Sequence, residues 1–145
     1  MKETYYLNKS ELPTIPVPHD CVVKDVRLDG EYLVFTFEDD ISYHDFAKYY
    51  RPEARSLIIR FHLPYADDVC VFVRKKPIRF LHKPGAIKEL DFIKKNGELI
   101  NLFKGKLEYL YHNVGYCSII VKLWSESGIV LDMHADYVEF EWICQ

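Results

Sequence analysis

Two histidine–carboxylate dipeptides stand in the first third of the chain, His19-Asp20 and His44-Asp45. A carboxylate beside an imidazole can fix its tautomer and stabilise the imidazolium, which is what a general base requires. Adjacent residues often point apart, however, and catalytic pairs are normally assembled across a fold. The preferred reading of His19 and Asp20 is therefore structural, with Asp20 capping a turn and His19 closing a sheet edge where the first hairpin begins. A third polar set, Asp132, His134 and Asp136, has the i, i+2, i+4 spacing that projects to one face of a strand. Such a triplet could ligate a divalent metal, but the solvated face of an antiparallel strand has the same pattern. With no second ligand cluster, neither a metal nor any other cofactor is expected. His19, Asp20, Asp132 and His134 form the candidate polar site.

Two charged groups could meet a partner. Arg74, Lys75, Lys76, Arg79, His82 and Lys83 form the one basic cluster, interleaved with Phe72 and Phe80. Bases could stack on such aromatics, yet the alternation favours burial of both rings, and the net charge of −3 gives no general attraction to nucleic acid or anionic lipid. Tyr137, Glu139 and Glu141 share one face of the last strand-like run. They form the candidate partner-binding face, with an aromatic anchor and acidic groups suited to a basic protein. The nucleophile-elbow, zinc-protease and glycine-rich nucleotide motifs do not occur, and no catalytic residue is assigned.

The elements that must position these residues read mainly as strands. From Lys106 to Cys144, four runs alternate apolar and polar residues, with turn signals at Asn113 to Gly115, Ser125 to Gly128 and Ala135-Asp136. Period-two alternation joined by short turns is an antiparallel meander. Earlier, Val22 to Leu28 and Leu33 to Phe37 flank Asp29-Gly30, which fits a type I′ hairpin loop. Tyr43, Phe46, Tyr49 and Tyr50 could line a short helix ended near Pro52. Leu57 to Phe61, Val69 to Val73 and Ile78 to His82 read as further strands. The middle one is apolar on both faces, as a central, well-covered strand would be. A helix is expected over 86–104, as one piece or as two broken at Gly97.

The expected domain is single, covering 1–145. It has an extended segment over 1–18, N-terminal strands over 19–82, the helix over 86–104 and the meander over 106–144. This is a mainly β fold, an antiparallel sandwich or open barrel with one or two short helices, α+β being the alternative. The four cysteines are unpaired in spacing and lie in apolar runs, so all four are expected to be reduced, structural thiols. No apolar run approaches the roughly 18 residues of a membrane span, and the first residues lack a signal-peptide core, so a cytoplasmic protein is expected.

His19-Asp20-Cys21, the hairpin Val26-x-x-Asp29-Gly30 and the run Leu33-x-Phe35-x-Phe37 together resemble a group of small bacterial all-β proteins that open with His-Asp. Some of these are similar to immunity proteins of polymorphic toxin systems, and the resemblance implies binding of one protein partner, a cognate toxin. It covers Pro18 to Asp40 and, more loosely, Leu107 to Trp124, and it carries no catalytic residues. Three functional expectations follow. The first is a non-enzymatic protein-binding domain, with an immunity-like role as its narrower form. The second is a small-ligand-binding or hydrolytic β-barrel with a cavity lined by histidine and aspartate. The third is a homo-oligomer whose strand edges cover one another.

Overall fold

A strand that is apolar on one side only must bury that side, and its neighbours are then held in one register. The computed structural model describes residues 1–74, 80, 85–92 and 106–144. The strands in chain order are β1 (Lys2–Tyr6), β2 (Val22–Asp29), β3 (Tyr32–Phe37), β4 (Ala54–His62), β5 (Val69–Arg74), β6 (Ile87–Leu90), β7 (Leu107–Gly115), β8 (Ser118–Ser125), β9 (Ser127–His134) and β10 (Tyr137–Cys144); a single described helix, α1 (Asp45–Tyr50), lies between β3 and β4. All strand pairings are antiparallel, in the order β1-β10-β4-β3-β2-β7-β8-β9-β5-β6. This is the mainly β domain expected, of sandwich or open-barrel type.

The two halves of the sheet meet at a narrow seam, where β2 and β7 pair only through Val22 with Glu108 and Val23 with Leu107. Backbone hydrogen bonds from Asp20 N–H to Tyr109 O (2.9 Å) and from Tyr109 N–H to Cys21 O (3.0 Å) extend it. Beyond the seam the sheet rolls, so that the inward faces of both halves share one core. Tyr109 of β7 packs on Phe35 and Phe37 of β3, with ring centroids 6.0 and 5.9 Å apart. Its hydroxyl donates to His112 Nδ1 at 2.7 Å, and His112 Nε2–H donates to Ile15 O at 3.1 Å. This buried chain of hydrogen bonds ties the N-terminal segment to the second half of the sheet.

Within the N-terminal segment, Lys2–Tyr6 is extended as an edge strand, β1, alongside β10. Several local expectations are corrected. In the first hairpin Asp29 pairs with Tyr32, so the loop is Gly30-Glu31, one residue later than expected. Only Gly30 has positive φ, 59°, which fits a type II′ turn with glycine first instead of type I′. The second loop also falls later, at Tyr116-Cys117, because Gly115 still pairs with Ser118. In α1 the buried residues are Phe46 and Ala47, while Tyr43 before it and Tyr49 within it are exposed. Where the helix over 86–104 was to begin, Ile87–Leu90 is a strand paired with β5, whose backbone groups it satisfies; positions 93–104, and most of the expected strand Ile78 to His82, lie outside the described residues. All four cysteines are free, yet only Cys21 is buried. Cys70 is exposed because its register opposite Asp132 turns it outward, and Cys144 is exposed past a bulge at the end of β10. Among the described residues no helix is long and apolar enough to cross a membrane.

Gly30 and Gly128 separate two uses of glycine. Gly30→Ala should lower stability by about 1–2 kcal/mol, since an L-residue is strained in the left-handed region. Gly128 has no positive φ and open space where a Cβ would stand, so Gly128→Ala should stabilise its strand by about 0.5–1 kcal/mol. Denaturant unfolding of both variants checks the contrast; equal effects at the two positions would contradict it.

Candidate functional site

Tyr137, Glu139 and Glu141 project from the outer face of β10, where their neighbours decide what they can do. Register sets Glu139 beside Thr4 and Arg60, and Tyr137 beside Tyr6 and His62. The Arg60 guanidinium donates to Glu141 at 2.6 Å and to Glu139 at 3.4 Å, and Lys2 Nζ reaches Glu139 at 3.3 Å. Arg60 holds the Glu141 carboxyl below its ordinary range. The Tyr137 ring stacks on His62, centroids 4.6 Å apart, and its hydroxyl shares a 2.7 Å hydrogen bond with Tyr32. The acidic charge of this face is therefore largely matched within the sheet. Arg60 and Lys2 carry the balance, and alternation within β10 alone could not reveal them.

The two histidine–aspartate dipeptides do converge. His19, Asp20, Tyr43, His44, Asp45 and Phe46 line a surface hollow of about 260 Å³. Asp20 adopts φ 63°, and its carboxylate meets His19 Nδ1 at 2.9 Å instead of pointing away. Both side chains are well exposed, and the bond from Asp20 N–H to Tyr109 O makes this the corner that leads into β2. Behind the hollow stands Glu38, a residue that the sequence reading missed. It accepts from Val22 N–H (2.9 Å), Tyr43 Oη–H (2.5 Å) and His44 Nε2–H (2.7 Å). Burial works to raise its pKa, but these donors outweigh burial and hold the carboxyl below its ordinary range. Such a carboxylate could orient His44 as a base, yet the same contacts join the end of β3, the start of β2 and the lead-in to α1. The hollow lies outside the core and is not the barrel interior that the second expectation required.

Asp132 and His134 lie elsewhere, in a hollow with Asp67, Asp68 and Cys70. His134 Nδ1 meets Asp68 at 3.3 Å. Asp136 leaves this group, because the chain crosses between the halves at Ala135-Asp136 and its carboxylate lies 2.5 Å from His62 Nδ1. The triplet is thereby divided. Among the described residues no three histidine, cysteine or carboxylate side chains converge as a metal site.

A further hollow, which the sequence reading did not assign, is a groove of about 470 Å³ on the outer face of β6, β5, β9 and β8. Phe72 and Val73 line it from β5, Val130 and Gly128 from β9, and Trp124 from β8, with Ile87 at one end. Lys122 and Arg74 are its charged members. Trp124 is 47% exposed, whereas Trp142 in the core is 1% exposed. Register places Gly128 beside Trp124, and a Cβ added there would meet nothing within 4 Å. Ile120 and Tyr111 extend the exposed apolar surface, and the Lys122 ammonium sits 5.5 Å from the Tyr111 ring centroid. The signal was present in the Val69 to Val73 run, which is apolar on both sides. One side faces the core, but the other lines this groove instead of being covered as a central strand would be. Of the basic cluster, only Arg74 lies among the described residues, on this face.

In comparisons with known proteins no family model matches the chain, and no curated protein or solved structure is similar to it.

Two histidines outside these hollows give opposite pH responses. Burial pushes the His112 pKa below 6.5, only partly offset by its bond to Ile15. The unfolded chain takes up that proton more readily, so the contribution of His112 is present above about pH 6.5 and lost as pH falls through its depressed pKa. For His62, burial disfavours the charged ring, but Asp136 and Glu31 outweigh burial and raise the pKa above 6.5. Its contribution is complete below about pH 6.5 and lost as pH rises through the raised value. Stability measured across this range should lose its acid-side decline in His112→Gln and its alkaline-side decline in His62→Gln. Curves parallel to the parent in both variants would contradict these assignments.

Proposed function

We propose that this chain is a non-enzymatic protein-binding domain whose partner docks on the outer face of β8, β9 and β5. The observation that carries the reading is the groove beside Trp124. Exposed apolar surface gathered into one patch marks an interaction face in a folded protein, and a half-exposed tryptophan is a frequent energetic anchor. The polar hollows support an enzyme less well. Glu38 is engaged by three donors that hold the fold, and His19 and Asp20 are exposed at a chain corner. An immunity-like role, with a toxin as the one partner and the cytoplasm as the compartment, is the narrower form of this proposal; it rests on the resemblance of Pro18 to Asp40.

The test is photo-cross-linking in the source cells. A photo-reactive phenylalanine analogue replaces Ile120 beside the groove or, as a control, Arg27 on the outer face of the other half. Position 120 should give one discrete protein adduct that is lost with Trp124→Ala, while position 27 should not. Indistinguishable adducts from the two positions, or none from position 120, would overturn the reading.

A further inference from the structure

The groove has a charge preference as well as an apolar floor, and this inference rests on the protein-binding reading just given. Arg74 and Lys122 line it, and no carboxylate does so among the described residues. Nor does any described carboxylate form an ion pair with either cation. Glu89 is opposite Phe72 in register, but it lines the neighbouring hollow with Cys70 instead. The groove is open and crosses four strands, about 14 Å at the usual spacing between neighbours. That span accommodates about four residues of extended chain, whereas small molecules are usually held in more enclosed cavities.

Gly128 supplies a second and independent observation. Glycine within a strand weakens it, and often marks a place where another chain or a ligand comes close. Here neither a left-handed φ nor a crowded Cβ position within the described fold calls for glycine. What the missing side chain provides is open space opposite Trp124 in register.

We propose that the groove binds a short segment of a partner protein that combines aromatic or aliphatic side chains with carboxylates, an apolar side chain entering the Trp124–Gly128 slot and the carboxylates meeting Lys122 and Arg74. The acidic face of β10 has its charges matched by Arg60 and Lys2, whereas the two cations that line the groove, Arg74 and Lys122, have no ion pair with a described carboxylate. The matching segment is therefore acidic.

Fluorescence anisotropy with the whole chain tests this, using two labelled short peptides. One alternates Glu with Phe and Leu; the other carries Lys in place of every Glu. The acidic peptide should bind at least about tenfold more tightly at low salt, and added salt should narrow the gap. Gly128→Leu should weaken it by about tenfold or more by filling the slot, and Lys122→Glu with Arg74→Glu should reverse the preference. Melting curves establish that the variants fold, and Gly128→Val is the smaller plug if Gly128→Leu does not. Equal or tighter binding of the lysine peptide, no binding of the acidic one, or full affinity in a folded plugged variant would each overturn the proposal. A discrete adduct from position 120 together with any of those results would leave the protein-binding reading standing and remove only this occupant. Selective acidic-peptide binding without such an adduct would tell against the cellular role and support the groove chemistry.

Discussion

Two residue pairs across the β2–β7 seam, Val22 with Glu108 and Val23 with Leu107, are the constraint on which the rest of the architecture depends. A sheet joined so narrowly at its middle can turn sharply there, and burial of the alternating apolar faces drives it to do so. The result is a single core filled from both halves, with Tyr109 reaching across β2 to Phe35 and Phe37. The buried bonds from Tyr109 to His112 and from His112 to Ile15 then fasten the N-terminal segment against the second half. Removing one partner would leave the other buried and unsatisfied, which typically costs about 1–3 kcal/mol.

Rolling the sheet gives the molecule two outer faces, and these differ in chemistry. On the first half, outward side chains satisfy one another. Arg60 lies between Glu139 and Glu141, while Tyr6, Tyr137, His62 and Tyr32 form a continuous row of rings across four strands. On the second half, the outward side chains that line the groove from β5, β9 and β8 are apolar or cationic and enclose open space beside Trp124. Such surface adds nothing to the core, so its contribution is best understood through what it contacts outside the chain.

Sustained alternation made the strands legible, because a one-residue slip would expose every apolar side chain on a half-buried strand. Loops were less legible for the same reason: the pattern fixes which face a residue takes but leaves the turn free to move by a residue, as Gly30-Glu31 and Tyr116-Cys117 show. Ile87-Lys88-Glu89-Leu90 is too short to declare a period, and its pairing with β5 decides its state. The approach of His19-Asp20 to His44-Asp45 depends on the corner at Asp20 and on Glu38, and neither follows from local spacing. Apolar residues on both sides of β5 were readable, but whether the second side would be covered depends on sheet order, which no local pattern contains.

The central claim, that the Trp124 groove is open to solvent, can be measured with two single-tryptophan variants, Trp142→Phe and Trp124→Phe. Acrylamide quenching of the native proteins should be severalfold more efficient for Trp124, retained in the first variant, than for Trp142, retained in the second, in keeping with exposures of 47% and 1%. Adding guanidinium should equalise the two as the chain unfolds. Native Trp124 as strongly protected as Trp142 would show the groove to be covered, and would contradict the account.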